Sequence, residues 1–355
     1  MPLKYVWKMD YKKIILPHIL NLKPYSSARD EFKGKEGVFL DANENPFETG
    51  DFFNRYPDPL QQDLKKRISE IKKIPVEQIF IGNGSDEPID LLIRMTCANQ
   101  NGNLIILPPT YGMYEVSANI NHAKIIQVPL KEDFQINLNN LLNSINEATK
   151  LIFICSPNNP TGNKINRSSI YSILNTFKQG FVIIDEAYID FNDEESFALE
   201  INNYPNLIVL QTLSKAYGMA SLRLGMAFAH SDIIEILNKI KPPYNISGAT
   251  QKLVLKELSN LTTFHSNLKS IKENKEYLIK KLKEIKEIEQ VYPSNANFIL
   301  VKFKQSKSLF EHLIHSKIIT RYRGNVTLCE NSIRISIGTR EEIDKLLISI
   351  KNYYV

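Results

Sequence analysis

The stretch Thr212-Leu213-Ser214-Lys215-Ala216-Tyr217-Gly218 follows the strand-like run 207–210, and Arg223 and Gly225 come shortly after it. A lysine that forms a Schiff base must be partly uncharged, and burial beside another cation lowers the pKa of an amine. The hydroxyl groups of the stretch and the guanidinium of Arg223 donate hydrogen bonds of the kind that a phosphate accepts. The pattern indicates a lysine that could hold an aldehyde cofactor carrying a phosphate. Taken alone, the pattern also fits a lysine at a strand end beside an unrelated arginine. The choice between these two interpretations therefore depends on the rest of the chain.

The composition is that of an ordinary globular protein, with 355 residues of which 43% are hydrophobic and 23% charged. This length suits two domains, or one large domain with a smaller partner. The net charge of +5 is spread along the chain, and in the densest run, 269–289, lysines alternate with glutamates at helical spacing. Such a run is typical of a solvated helix face, so we expect no nucleic-acid partner.

The three cysteines, Cys97, Cys155 and Cys329, are at unrelated spacings, and none has a neighbouring histidine or a second cysteine in a CxxC motif. This pattern predicts neither a disulfide framework nor a metal site, and it fits a reducing compartment. The sequence has no signal-peptide pattern and no apolar stretch long enough to span a bilayer. We therefore expect a cytoplasmic protein that does not bind membranes.

The order of apolar runs and helical patterns predicts an α/β fold. Strands that lack polar alternation and are separated by helices favour a mostly parallel sheet buried on both faces. We expect an N-terminal arm (1–45), a large domain (46–245) with a seven-stranded sheet, and a smaller α+β domain (246–355) joined by a long helical region, 248–286. The predicted strands of the large domain are 79–81, 104–107, 125–128, 151–155, 181–184, 207–210 and 225–229, and those of the small domain are 297–303, 318–321 and 333–337.

Motifs that could carry chemistry follow five of these strands. Ligands of open α/β sheets bind beyond the carboxyl ends of the strands, where segments 82–86, 109–111, 156–162, 185–188 and 214–215 would converge. In the first segment, glycines at a strand-to-helix turn expose backbone N–H groups at a helix N-terminus, which is a ready anion site. The convergence predicts one binding site built from all five segments.

An aspartate at the end of a buried strand is unfavourable unless it meets a positive group. Asp185 is in that position, and a protonated pyridine nitrogen, as in pyridoxal phosphate, would be such a group. Asn159 and Tyr188 could then reach the phenolate oxygen of the cofactor, and Tyr111 could stack on its ring. The structural alternatives are a helix cap for Asp185, a turn at Asn159-Pro160 and core packing for Tyr111.

Several motifs together resemble the fold-type I aminotransferases that use pyridoxal phosphate, and among these most closely the family of histidinol-phosphate aminotransferases. The resemblance extends from about residue 20 to 350. The motifs are Leu22-Lys23-Pro24-Tyr25, Asn54-Arg55-Tyr56-Pro57, Pro108-Pro109-Thr110-Tyr111-Gly112-Met113-Tyr114, Ser156-Pro157-Asn158-Asn159-Pro160-Thr161-Gly162, Asp185-Glu186-Ala187-Tyr188, the stretch around Lys215 with Leu222-Arg223-Leu224-Gly225, and the segment 333–340.

The resemblance implies that the protein transaminates L-histidinol phosphate with 2-oxoglutarate, giving imidazole-acetol phosphate and glutamate in histidine biosynthesis, with ping-pong kinetics. An aromatic-amino-acid aminotransferase and a threonine-phosphate decarboxylase of the same fold remain alternatives. A non-catalytic regulator that kept this fold is disfavoured, because the 45 residues before the large domain are too few and irregular for a helix-turn-helix unit.

The resemblance also assigns roles to residues. Lys215 would hold the cofactor and move the proton, Asp185 would pair with the ring nitrogen, and Tyr111 would stack on the ring. Asn159 and Tyr188 would address the phenolate oxygen. The cofactor phosphate would be surrounded by Gly84, Ser85, Asp86, Thr212, Ser214 and Arg223, with Tyr56 reaching it from the second subunit of a homodimer. The substrate anions would be bound by Arg334, Arg321, Tyr25 and Asn159.

Overall fold

The computed structural model describes residues 9–24, 37–48, 50 and 53–355. Its larger sheet has seven strands in the order β1-β7-β6-β5-β4-β2-β3. β7 is antiparallel to both of its neighbours, and the remaining pairs are parallel. The strands are β1 (Ile79–Asn83), β2 (Asn103–Ile106), β3 (Lys124–Gln127), β4 (Thr149–Cys155), β5 (Phe181–Asp185), β6 (Leu207–Thr212) and β7 (Leu224–Phe228). The predicted mostly parallel, seven-stranded α/β sheet is confirmed.

Both faces of this sheet are buried, as its uninterrupted apolar strands predict. Along β4, Ile152 and Ile154 contribute to one hydrophobic cluster, and Leu151 and Phe153 contribute to the cluster on the opposite face. This alternation follows from the period of two residues in a strand. Because each strand must be apolar on both sides, polar side chains are confined to the strand ends.

Helices cover the faces of the sheet and continue into the C-terminal part of the chain. None of those in the described ranges is long and apolar enough to cross a membrane. They are α1 (Pro17–Leu20), α2 (Gln62–Lys72), α3 (Asp86–Thr96), α4 (Met113–Ile120), α5 (Leu138–Ser144), α6 (Arg167–Thr176), α7 (Ser231–Ile240), α8 (Gly248–Leu258), α9 (Thr262–Leu282), α10 (Ser306–His315) and α11 (Arg340–Tyr354), with short 3-10 turns between some of them.

The second sheet has four antiparallel strands in the order β10-β11-β9-β8. They are β8 (Ile288–Val291), β9 (Phe298–Phe303), β10 (Arg321–Tyr322) and β11 (Ser332–Ser336). The prediction of a strand over 318–321 is wrong in its position, because pairing with β11 begins only at Arg321. β8 was not predicted. Its central residues, Glu289 and Gln290, are polar and exposed, so it lacks the apolar run that marks the other strands.

The predicted helical region 248–286 is divided into α8 and α9 by residues 259–261. Val254 and Leu258 of α8 pack into a core cluster of the large sheet, whereas Leu278 and Leu282 of α9 pack into the core of the small sheet. The helical region thus connects the two cores. The domain boundaries at residues 45 and 245 stay predictions.

Candidate active site

A cavity of about 700 Å³ opens at the carboxyl ends of β4, β5 and β6, whose last residues line it. It brings together side chains from all five of the predicted segments. The predicted site residues that line it are Gly84, Ser85, Asp86, Tyr111, Asn159, Asp185, Tyr188, Thr212, Ser214, Lys215, Arg223, Arg321 and Arg334. Residues that line it from outside the five predicted segments include Met113, Val116, Cys155, Arg323 and Val326.

Lys215 comes three residues after the end of β6, and its side chain lines the cavity. Partial burial lowers the pKa of the Lys215 amine, and the nearby guanidinium of Arg334 lowers it further. The carboxylates of Asp185 and Asp86 act in the opposite direction, but the net shift of this pKa is downward. An amine with a lowered pKa has a larger neutral fraction near pH 7, which is what attack on a carbonyl carbon requires.

Asp185 is the last residue of β5 and is only 2% exposed. Its Oδ2 accepts a hydrogen bond from the hydroxyl of Tyr114 at 2.6 Å, and its Oδ1 accepts one from the backbone N–H of Ala187 at 3.0 Å. Burial raises the pKa of this carboxyl group, and the two hydrogen bonds oppose that rise. Within the described part of the chain Asp185 forms no ion pair. A protonated ring nitrogen entering the cavity would therefore meet a carboxylate that is not ion-paired with any described side chain.

The turn between β1 and α3 lies against the segment that precedes β7. Gly84 has a φ of +73°, and a Cβ built on it would lie 2.6 Å from Nη2 of Arg223. A Cβ on Gly225 would lie only 2.2 Å from the backbone nitrogen of Ser85. Arg223 also approaches Oδ2 of Asp86 at 3.9 Å. The two glycines let a guanidinium and the N-terminus of α3 share one small space, which suits a phosphate group.

Two hydroxyl-bearing residues complete this end of the cavity. Oγ1 of Thr212 accepts a hydrogen bond from the backbone N–H of Ser214 at 3.1 Å and donates one to the carbonyl of Leu224 at 3.2 Å. These bonds fix the short segment that leads from β6 to Lys215. The position of the lysine is thus tied to the first residue of β7.

Three polar side chains lie around the middle of the cavity. Tyr111 is half-buried and donates a hydrogen bond from its hydroxyl to Oδ1 of Asp86 at 3.0 Å. The ring of Tyr188 lies 5.7 Å from Nζ of Lys215, and Oδ1 of Asn159 accepts a hydrogen bond from Nη1 of Arg334. Burial raises the pKa of both tyrosines, so their hydroxyls stay protonated at neutral pH and can act as donors.

Three guanidinium groups line the opposite side. Arg321 and Arg334 are cross-strand partners on β10 and β11, and Arg323 comes two residues after Arg321. None of the three forms an ion pair with any part of the chain that the structure describes. The buried Nε of Arg323 has no hydrogen-bond partner there, and burial together with repulsion from Arg334 and Arg321 lowers the pKa of Arg323. Three unneutralised cations are suited to a dianion.

The cavity lining does not include the predicted residue Tyr56. Tyr56 is about half exposed and stacks on Tyr244, with their ring centroids 4.5 Å apart. Tyr25 lies outside the described residues. The predicted roles of these two tyrosines stay untested.

A family model described as aminotransferase class I and II matches residues 34–350. A curated histidinol-phosphate aminotransferase from Cytophaga hutchinsonii is 50% identical over 342 residues, covering 96% of this chain and 98% of the relative.

Among solved structures, the histidinol-phosphate aminotransferase from Clostridium acetobutylicum superposes with a TM-score of 0.78 at 26% identity, covering 85% of this chain and 91% of that one. The histidinol-phosphate aminotransferase from Sinorhizobium meliloti in complex with pyridoxal-5'-phosphate superposes with a TM-score of 0.77 at 20% identity, covering 85% and 84%. At that identity the second likeness concerns the fold alone.

Proposed function

The chain belongs to the class I and II aminotransferases, and within them to the histidinol-phosphate aminotransferases, and from this premise we propose that it transfers the amino group of L-histidinol phosphate to 2-oxoglutarate. The products are imidazole-acetol phosphate and glutamate, and the reaction is a step of histidine biosynthesis. The observation that supports this best is one cavity shared by the Lys215 amine, the Asp185 carboxylate and three guanidiniums that form no ion pair with the described residues.

The cofactor that we propose is pyridoxal 5'-phosphate. The cavity offers a buried carboxylate for a ring nitrogen at Asp185 and a set of donors for a phosphate at Gly84, Ser85 and Arg223. Thr212 and Ser214 would add to the phosphate site. When bound there, pyridoxal phosphate supplies the electron sink that makes the Cα–H bond of the substrate acidic.

Lys215 is the group that we expect to move the proton. Its amine would form the covalent link to the cofactor, and after the substrate displaces it Nζ would be free to take the proton from the substrate Cα. The lowered pKa of this amine favours the neutral form that accepts a proton. Tyr111, Asn159 and Tyr188 would hold the cofactor ring in place while Nζ transfers the proton.

The substrate anions belong, on this proposal, at Arg321, Arg323 and Arg334. Arg334 lies against Asn159, on the cofactor side of the group, and its planar guanidinium can bind a carboxylate or a phosphate through two hydrogen bonds. A phosphate would neutralise the three charges better than the single carboxylate of an aromatic amino acid. This favours histidinol phosphate over the aromatic-amino-acid alternative.

We further propose a homodimer in the cytoplasm. Large apolar side chains between residues 38 and 53 are exposed in the single chain, among them Val38 (88%), Leu40 (88%), Phe47 (78%) and Phe53 (64%), and a second copy would cover them. Tyr56 would then reach the cofactor phosphate of the partner. All three cysteines are buried and unpaired, which suits a reducing compartment.

The experiment that tests the reaction follows single half-reactions of the cofactor-loaded protein by visible absorbance with three amino donors. Histidinol phosphate should react at least about tenfold faster than phenylalanine, corresponding to about 1.4 kcal/mol of transition-state discrimination. Threonine phosphate should release no CO₂, and release at a comparable rate would instead assign the decarboxylase activity.

The role of Lys215 is tested with the same protein. Borohydride should trap the cofactor on Lys215, and Lys215→Ala should abolish turnover, whereas Lys269→Ala, which removes an exposed lysine of α9, should not. Turnover of Lys215→Ala near the wild-type rate would reject the assignment.

A further inference from the structure

Tyr114 is a completely buried tyrosine that lies behind the cavity and does not line it. It is the second residue of α4, and its ring stacks on Phe153 of β4 with a centroid distance of 4.7 Å. Its hydroxyl donates to Oδ2 of Asp185 at 2.6 Å, within the range of a strong hydrogen bond to a charged oxygen. Nothing in the proposed reaction has yet used this residue.

We propose that Tyr114 is a positioning residue that orients the Asp185 carboxylate and keeps it ionised for the ring nitrogen of the cofactor. This inference rests on the proposed function. Oδ1 accepts a hydrogen bond from the backbone N–H of Ala187, and Oδ2 accepts one from the hydroxyl of Tyr114, so each carboxylate oxygen has one donor. The carboxylate is thus fixed in one rotation, with its remaining lone pairs available to the cavity.

The surroundings explain why such a donor is needed. Burial raises the pKa of Asp185, and Asp86 raises it further, whereas the Tyr114 hydrogen bond is the largest influence that lowers it. The other ionisable groups near this carboxylate are Lys215, Tyr111 and Tyr188, which line the cavity, and the buried thiol of Cys155. Without the phenol, Asp185 would hold its proton more tightly and pair less well with a protonated ring nitrogen.

Tyr114 also donates to the carboxylate without competing for its proton. Burial and the charge of Asp185 raise the pKa of the Tyr114 phenol far above its ordinary range. The phenol therefore remains a neutral donor at every pH at which the enzyme would work. A charged partner in its place would neutralise Asp185 and weaken its attraction for the cofactor.

The test uses Tyr114→Phe, which removes only the hydroxyl and retains the ring that stacks on Phe153. We expect the dissociation constant of pyridoxal phosphate, measured by equilibrium dialysis, to rise about tenfold, as expected from the loss of one hydrogen bond to a charged group. The pH titration of the visible absorbance of the bound cofactor should also shift. Tyr171→Phe is the matched control, because its hydroxyl accepts a hydrogen bond from Arg167 at 3.0 Å and donates one to Glu200 at 3.4 Å, and Tyr171 does not line the cavity.

A double-mutant cycle separates positioning from packing. If Tyr114 acts through Asp185, adding Tyr114→Phe to Asp185→Asn should change the dissociation constant by less than about twofold. Additive effects, or an unchanged dissociation constant and titration in Tyr114→Phe alone, would overturn the inference and leave the proposed function intact. A wild-type chain that binds no pyridoxal phosphate would reject both.

Discussion

Burial of the Asp185 carboxylate disfavours its negative charge. This affects the stability of the folded protein, and the effect can be measured without the cofactor. Burial raises its pKa in the folded protein, so the folded chain binds this proton more tightly than the unfolded chain does. Stability therefore falls as the pH rises from the ordinary carboxyl pKa, about 4, through the raised value. Above that pH range, the folded protein bears the full free-energy cost of burying the charged carboxylate.

Replacing this carboxylate by an amide should remove the free-energy cost of burying a charge. We predict that cofactor-free Asp185→Asn melts at a higher temperature than the cofactor-free wild type at pH 7, and that the difference narrows as the pH approaches 4. Pyridoxal phosphate should raise the melting temperature of the variant less than that of the wild type. Scanning calorimetry over this pH range checks both, and a cofactor-free variant less stable than wild type at pH 7 would contradict the account.

Arg323 lines the cavity but lies outside all of the sequence motifs. Its Nε has no partner among the described side chains, and its charge is added to those of Arg321 and Arg334. We predict that Arg323→Gln lowers kcat/KM for histidinol phosphate by about tenfold or more, because a charge-assisted hydrogen bond to a dianion is lost. The loss for 2-oxoglutarate, whose carboxylates are singly charged, should be smaller.

The matched control for Arg323 is Arg340→Gln. This arginine stacks on Tyr277 at 3.6 Å, and it does not line the cavity. Steady-state kinetics of both half-reactions would provide the comparison. Equal losses with both substrates would show that Arg323 shapes the cavity without selecting the phosphate.

At the scale of the elements, the close approach of β7 to the turn after β1 is the feature that places the phosphate donors. Gly225→Ala would put a methyl group against the backbone of Gly84 and Ser85, which are not flexible side-chain ends. We predict a loss of about 1–3 kcal/mol in stability, typical of overpacking, and weaker binding of pyridoxal phosphate.

Gly248→Ala provides the comparison for this substitution. At the first position of α8 an added Cβ would be 3.6 Å from Pro57, an ordinary contact, so stability and cofactor binding should hardly change. Denaturant unfolding and equilibrium dialysis measure both quantities. If Gly225→Ala bound cofactor as tightly as wild type, the turn would not need this close contact.

The strands that could be predicted from the sequence are those marked by a continuous run of apolar residues. The runs around Ile152, Ile183 and Val209 are apolar on both faces, and the observed strands agree with the predicted ones to within two residues at each end. β8 and β10 could not be found in this way, because one is polar and half-exposed and the other is only two residues long. Their existence depends on pairing with neighbours that are distant in sequence.

The same distinction applies to the cavity. Some of its residues could be predicted from the local sequence, and others are brought there by contacts between distant parts of the chain. Residues at strand ends, such as Asp185 and Lys215, were predictable because parallel strands bring their carboxyl ends together. Arg323 directly follows the two-residue strand β10, which no apolar run marks, so its place in the cavity could not be predicted from local sequence. The contact of Tyr114 with Asp185 joins residues 71 positions apart, and no local sequence pattern predicts it.

At the scale of the whole molecule, Tyr56 makes the proposed dimer testable through activity. In the single chain Tyr56 stacks on Tyr244 and does not line the cavity, so a role at the cofactor phosphate requires a second copy. A dimer of Lys215→Ala chains lacks the reactive amine in both sites. A dimer of Tyr56→Ala chains lacks the partner tyrosine in both sites and should bind pyridoxal phosphate weakly.

Mixing the two variants provides the decisive measurement. A mixed dimer would contain one site with Lys215 from one chain and Tyr56 from the other, and a second site with both defects. We predict that unfolding and refolding the variants together at limiting pyridoxal phosphate restores activity above the sum of the two separate samples, while each variant refolded alone gains none. Sedimentation should show a dimer for every sample. Absence of restored activity in a sample that sediments as a dimer would place Tyr56 outside the partner's site, and a fully active monomer would rule out the shared site altogether.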